Sequence, residues 1–219
     1  MKTLKIAAAC VFCLTVLAAT ASAQMGMRPS MPSGIFTPTI GAGAQYESTA
    51  SDGSKSTVEM TLVGHESVNG KDGYWMESMM ENGKMGEMIF KILIVPGAPD
   101  ASPRVIMQMG KGAPMEMPQQ GRMGTAAKPN LDVRNGGQDL GKESVTTPAG
   151  TFSCEHYRSK DGGDVWVSSS VPPFGMVKSS NNGSSMVLTK VITGAKDKIT
   201  GTPVPFNPQM MMQQMQPPQ

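Results

Sequence analysis

A thiol and an imidazole two residues apart form the most reactive pairing in this sequence. Cys154 and His156 flank Glu155, and side chains two residues apart on a β-strand point to the same face. A zinc or copper site would need one or two further ligands, and the other histidine is His65. Phe152 shares the face of Cys154, which favours a packed cysteine with a histidine at the rim of a core. We therefore predict neither a metal site nor a Cys-His nucleophile, since no helix N-terminus is expected nearby to lower the thiol pKa.

Carboxylates are the second candidate for chemistry. Two pairs come into question, Glu77 with Glu87 and Asp161 with Asp164. Carboxylates at the ends of hairpins are normally solvated, and nothing in the sequence fixes the separation that paired catalytic acids require. Residues 168–170 are three serines without the G-x-S-x-G setting of a nucleophile, and the glycine-rich stretches lack phosphate-loop spacing. We predict no catalytic residue, no cofactor and a non-enzymatic protein.

Methionine is strongly over-represented, with 21 residues in the chain. The groups are Met25/Met27, Met79/Met80, Met107/Met109, Met115/Met117 and Met210/Met211/Met212. Thioethers are soft ligands, and paired methionines outside the cytosol can bind Cu(I) or Ag(I). Two other uses compete with this one: methionines in strands fill cores, and methionines in tails can absorb oxidants without harm to packing. No individual methionine is assigned as a metal ligand.

Strands must position these side chains, because apolar and polar residues alternate with a period of two through the centre of the chain. Residues 57–62 alternate in this way, and the turn residues 69–73 lead into a second strand over 74–79. This arrangement predicts a β-hairpin. Residues 85–95 are the most apolar stretch after the signal-like N-terminus, and we expect them in the centre of a sheet, since at an edge they would promote aggregation.

The second half of the chain repeats the pattern in shorter strands. They are expected at residues 140–146, 151–160, 163–170, 176–180 and 185–193. A two-residue turn at Asp161-Gly162 would place Tyr157 opposite Trp166, and His156 opposite Val167. About eight to ten strands at short spacing, with no convincing helix among them, indicate an all-β fold. We expect an antiparallel, strongly curved sheet or a partly open β-barrel.

The N-terminus has the anatomy of a cleavable secretory signal peptide. Residues 1–23 combine two lysines, an apolar stretch and the small residues Ala21-Ser22-Ala23 before Gln24. The apolar stretch is about 13 residues, shorter than the roughly 18 that a membrane-spanning helix needs. We expect cleavage before Gln24 and a periplasmic or extracellular location without a membrane segment of the protein's own.

The rest of the chain divides into one domain and two tails. Residues 24–41 and 203–219 are rich in Met and Pro without alternation, and we expect both to be disordered because little burial would offset their loss of entropy. A single β domain is expected over 42–202. Within it, residues 96–137 read as one long Gly-, Pro- and Met-rich loop.

Charge and cysteine content exclude several functions. Loss of the two signal lysines leaves 17 basic and 17 acidic residues, and a neutral chain lacks the basic surface that drives nucleic-acid binding. Cys154 is the one cysteine after residue 23, so no disulfide can form within the mature chain. We expect this thiol to be buried, as free cysteines usually are.

Several runs of residues carry a family resemblance. They are 64–77 (GHESVNGKDGYWME), 147–152 (TPAGTF), 165–167 (VWV) and 173–178 (PFGMVK). The layout resembles exported bacterial proteins that are similar to the LolA-type lipoprotein carriers. That resemblance implies an unclosed β-barrel whose concave apolar face holds acyl chains. The carriers also have helices that plug the barrel, where this sequence has its Gly- and Pro-rich loop, and no binding residue is carried over.

Three hypotheses of different class follow. The first is an exported non-enzymatic protein that binds a lipid or another apolar ligand on a curved sheet, lined in part by Tyr74, Trp75, Tyr157 and Trp166. The second is a methionine-rich protein that binds copper or buffers oxidants. The third is a structural or interaction module of the envelope. Co-purifying lipid would indicate the first, copper-dependent changes the second, and neither the third.

Overall fold

The computed structural model describes residues 34–82, 86–97, 104–118 and 132–214. The predicted signal peptide and residues 24–33 of the predicted N-terminal tail lie outside these ranges. The strands are β1 Ala42–Thr49, β2 Lys55–Val68, β3 Lys71–Asn82, β4 Gly86–Ile94, β5 Val105–Met109, β6 Met115–Glu116, β7 Gln138–Thr147, β8 Gly150–Arg158, β9 Asp164–Val167, β10 Met176–Asn181, β11 Ser184–Thr193 and β12 Val204–Pro205, followed by the helix α1 Pro208–Gln214.

All of these strands belong to one sheet. Its order is β12-β6-β5-β4-β3-β2-β1-β11-β10-β9-β8-β7, with β12 and β7 at the two edges. Every neighbouring pair is antiparallel except β12 and β6, which run parallel. The all-β, open-sheet prediction is confirmed, with that one parallel pair as the exception to an antiparallel sheet. Among the described residues, no helix is long and apolar enough to cross a membrane.

The predicted hairpin between the first two long strands is also confirmed. Val68 pairs with Lys71 across Asn69-Gly70, and both turn residues have positive φ, 51° and 76°. That conformation is the two-residue type I′ turn, whose twist matches that of the flanking strands. Asn182-Gly183 makes the same turn between β10 and β11.

The predicted register between β8 and β9 is wrong by one residue. His156 lies opposite Trp166, and Tyr157 opposite Val165. The loop has three residues rather than two, because Ser159 N–H donates to the Gly163 carbonyl at 2.8 Å and Gly162 takes a φ of 84°. A three-residue loop with a glycine in this conformation is the other common hairpin connection, and it shifts every pair by one.

Residues 96–137 do not form one long loop. They include β5, which pairs with β4, and β6, which pairs with β5. Met107, Met109 and Met115 are at most 4% exposed there. Apolar burial along 105–109 offsets the cost of ordering this segment, and the nearby prolines and glycines obscured that signal.

The C-terminal segment is more ordered than its composition suggests. Residues 204–214, which we expected to be disordered, form β12 and α1. Their partly buried Val204, Phe206, Met210 and Met211 pack against the core. These four side chains are partly buried although apolar and polar residues do not alternate around them. The sequence pattern therefore did not predict that this segment packs on the core.

Apolar side chains pack on both sides of β4, which lies between β3 and β5 as expected for a central strand. One set, the inner cluster, extends across the whole sheet. Its largest members include Tyr46, Leu62, Met76, Phe90, Met107, Met115, Phe174 and Leu188. The other set, the outer cluster, consists of Trp75, Ile89, Leu93, Ile106 and Ile199. Trp75 therefore belongs to a different cluster from Tyr74 and Tyr157.

Candidate functional site

His156 is held between two carboxylates on neighbouring strands. Its Nδ1 lies 3.0 Å from Glu143 Oε1 on β7, and its Nε2 lies 3.0 Å from Asp164 Oδ1 on β9. The ring stacks on Trp166, with 4.3 Å between centroids. Since both ring nitrogens face carboxylates, only an imidazolium can donate to both at once. Both ring nitrogens therefore have a carboxylate partner.

Cys154 is buried, as expected. Its side chain is 1% exposed, and its Sγ lies 3.6 Å from the Phe152 carbonyl. Burial, with a smaller contribution from Glu143, raises the pKa of the thiol to about 11. The thiolate needed for attack or metal binding is therefore scarce at neutral pH. His65, the other histidine, bonds Asp72 on the β2–β3 hairpin.

The paired methionines of the central segment contribute to the core. Met109 lies opposite Met88, and Met107 lies opposite Met115, and all four are at most 4% exposed. Met117 is partly buried against the same cluster. The described residues contain no group of three or more His, Cys, Asp or Glu side chains that could hold a metal ion.

The carboxylate pairs considered from the sequence do not form. Glu87 lies opposite Glu81 at the exposed end of β4, away from Glu77. Asp161 accepts hydrogen bonds from Ser159 and Asn181, whereas Asp164 bonds His156 and Arg158. Arg158 lowers the pKa of Asp164, which makes this acid a structural partner.

A different pair of acids consists of Glu77 on β3 and Asp197, which belongs to the segment that connects β11 to β12. We call this segment, residues 194–203, the strap. Glu77 is 2% exposed on β3, and its Oε1 accepts from the same Ile199 N–H as Oδ1 of Asp197 on the strap, at 3.2 and 3.0 Å. Asp197 also pairs with Lys91 of β4. From the sequence, Glu77 came into question only beside Glu87, because Asp197 lies 120 positions further along the chain.

Backbone groups of the strap complete the surroundings of Glu77. The N–H groups of Lys198 and Ile199 both donate to its carboxylate oxygens, at 3.1 to 3.2 Å. Ile199 is 4% exposed within the outer cluster, and the Lys198 ammonium lies 2.6 Å from Glu59. Burial is the main reason that the pKa of Glu77 rises to about 7. Burial alone would raise the pKa of Asp197, but its interactions with Glu77 and Lys91 lower that pKa below its ordinary value.

The surface also has an open polar depression where β1 and β3 end and β2 begins. It is lined by Glu47, Lys55, Ser56, Thr57 and Glu81. The Lys55 ammonium bonds Glu47 at 2.8 Å within it. This lining suits neither an acyl chain nor a catalytic acid pair. The apolar inner face of the sheet, by contrast, is occupied by its own side chains.

No family model matches the chain, and no curated protein matches it. Solved structures include three that are similar over much of it. A candidate exported protein with a YmcC-like fold from Bacteroides fragilis has 14% identity and a TM-score of 0.36, over 73% of this chain and 99% of that one. A candidate lipoprotein from Parabacteroides distasonis has 17% identity and a TM-score of 0.37, over 74% and 100%. MucB has 14% identity and a TM-score of 0.38, over 71% and 54%. At TM-scores below 0.5, these likenesses carry no argument about what this protein does.

Proposed function

We propose that this protein is exported to the cell envelope and binds an apolar ligand, such as an acyl chain, without catalysing a reaction. The ligand would enter the inner cluster beneath α1, in place of Met210 and Met211. One observation carries the proposal: a methionine-rich core is covered at one edge of the sheet by a short helix that has no buried residue of its own. Such a cover can be exchanged for a ligand at small cost.

The energetics of α1 support this exchange. Helices of fewer than about 12 residues are marginal on their own, and α1 has seven. It stays in place through partly buried methionines, whose flexible side chains adapt to different neighbours. Each CH₂ of a hydrocarbon chain that leaves water contributes about 0.8 kcal/mol, so an acyl chain can replace the two thioether side chains and gain free energy.

The location in the envelope rests on the sequence of residues 1–23, which has the anatomy of a signal peptide. The similarity in layout to LolA-type carriers agrees with an apolar ligand. In this chain, the helix α1 would cover the apolar inner cluster, as the plug helices do in those carriers.

Binding of a fluorescent fatty acid tests the proposal. The mature, delipidated protein should bind an anthroyloxy-labelled stearic acid at micromolar concentration, and the affinity should be insensitive to salt because the mature chain is formally neutral. Met211→Glu should raise the affinity several-fold, because it weakens the cover that competes with the ligand. Met212→Glu is the matched control, since Met212 is 68% exposed, and should leave the affinity unchanged.

Two results would reject the proposal. The first is the absence of probe binding up to the solubility limit of the fatty acid. The second is an equal response of both methionine variants, which would place the probe on the surface. Mass spectrometry of the protein purified from its own envelope provides an independent measurement, and a lipid should accompany the wild-type chain.

A further inference from the structure

The strap is attached to the outer side of the sheet by a small number of specific contacts. Ala195 N–H donates to the Gly41 carbonyl at 2.8 Å at its start. Its centre is held by Glu77, which accepts both backbone N–H bonds, and by Ile199 in the outer cluster. The strap therefore covers Trp75 and its apolar neighbours through one buried carboxyl group, one apolar side chain and the ion pairs of Asp197 with Lys91 and of Lys198 with Glu59.

The closed strap places two carboxyl groups side by side, because Glu77 Oε1 and Asp197 Oδ1 both accept from the Ile199 N–H. Two ionised carboxylates this close repel each other, so a proton on one of the two favours the closed arrangement. Lys91 pairs with Asp197, which places the negative charge on Asp197 and the proton on Glu77. When Glu77 loses that proton, its buried carboxylate faces the negative charge of Asp197, whose side chain is 39% exposed.

We propose that the strap is a proton-controlled cover: protonated Glu77 holds it closed over the outer cluster, and loss of that proton releases it. Release would separate Asp197 from Glu77 and withdraw Ile199 from the apolar side chains around Trp75. This inference concerns the outer side of the sheet and does not depend on ligand binding beneath α1.

The charged groups around Glu77 agree with this assignment. Its neighbours across the sheet are Thr61 on β2 and Lys91 on β4, and the strap contributes Asp197 and Lys198. The Lys91 ammonium is shared with Asp197, and the Lys198 ammonium with Glu59. The Lys198 ammonium is thus paired with a carboxylate outside the two acids, and ionised Glu77 would share the Lys91 charge with Asp197.

The direction of the pH effect follows from the pKa of Glu77. The ordinary pKa is 4.5, and burial raises it to about 7 in the closed state. In the open state the carboxyl group is solvated and returns towards the ordinary value. The closed strap therefore has its full stability below pH 4.5 and loses it as the pH rises to about 7. In that interval the opening constant can rise by at most about tenfold per pH unit, because a single proton is released.

Glu77→Gln separates this proposal from ordinary packing. The Gln carbonyl oxygen can accept from the Lys198 and Ile199 N–H groups, and its amide can donate to Asp197, so it imitates the protonated acid at every pH. Glu81→Gln is the matched control, since Glu81 is an exposed acid on the same strand. Ile199→Ala removes the apolar anchor and should open the strap even in acid.

Hydrogen exchange measured by mass spectrometry tests the proposal on the full mature chain. Protection factors for the peptide that contains Lys198 and Ile199, corrected for the intrinsic effect of pH, should fall between pH 4.5 and about 7 and then level off. Glu77→Gln should abolish the fall, and Glu81→Gln should retain it. In a Trp166→Phe background, which leaves Trp75 as the single tryptophan, the emission of Trp75 should shift over the same interval.

Protection that is independent of pH in the wild-type chain would overturn the proposal. The same pH dependence in Glu77→Gln would also overturn it. If Glu77→Gln fails to fold, the wild-type protection profile and the Ile199→Ala variant still decide between the two outcomes.

Discussion

The reactivity of Cys154 should be suppressed by a predictable amount. Its ordinary thiol pKa of 9.0 rises to about 11 in the folded protein. At pH 8 this shift lowers the thiolate fraction about 100-fold, from roughly a tenth to roughly a thousandth. Because the thiolate is the attacking species, an aromatic disulfide reagent should react at least about 100-fold more slowly than with an unstructured cysteine peptide. The 1% exposure of the side chain slows the reaction further.

The assay is the release of the coloured thiolate from such a reagent, followed against time in native and denatured protein. Cys154 is the only cysteine after residue 23, so the mature chain gives one signal. Denaturant should restore the rate of the peptide. Glu143→Gln should speed the native reaction by a smaller factor than denaturation does, because burial contributes more to the raised pKa than this carboxylate. A native rate within about threefold of the peptide rate would refute the reasoning and indicate an accessible, activated thiol.

Three further predictions concern stability, each measured as the free energy of unfolding in denaturant. Leu188→Ala removes a fully buried side chain and should cost about 2 to 5 kcal/mol, whereas Leu140→Ala, at a position that is 39% exposed, should cost well under about 1 kcal/mol; similar costs would contradict the assignment of the core. Tyr46→Phe should cost about 1 kcal/mol, because the hydroxyl donates to the Met176 carbonyl at 3.1 Å and its loss leaves a buried acceptor unpaired; no change would mean that water satisfies that carbonyl. Asn182→Ala should cost about 1 kcal/mol because φ is 46° there, and Asn182→Gly should cost less; the reverse order would exclude the type I′ turn.

The sequence by itself determined the class of the fold and its local turns. Alternation with a period of two fixed the strands on either side of Asn69-Gly70, and the need of a type I′ turn for positive φ fixed the hairpin between them. The apolarity of residues 85–95 placed that strand inside the sheet. The solitary Cys154 beside Phe152 was enough to predict a buried thiol. These conclusions depend on neighbours within a few positions along the chain.

Only the tertiary structure decided which distant residues meet. Glu77 and Asp197 have no relation in the sequence pattern, and their contact exists because the strap returns across the outer side of β3 and β4. The packing of Met210 and Met211 on the inner cluster likewise depends on where the chain goes after β11. Burial is a property of the whole arrangement. It gives Glu77 a raised pKa and leaves Glu87 exposed, although either could have been chosen from the sequence.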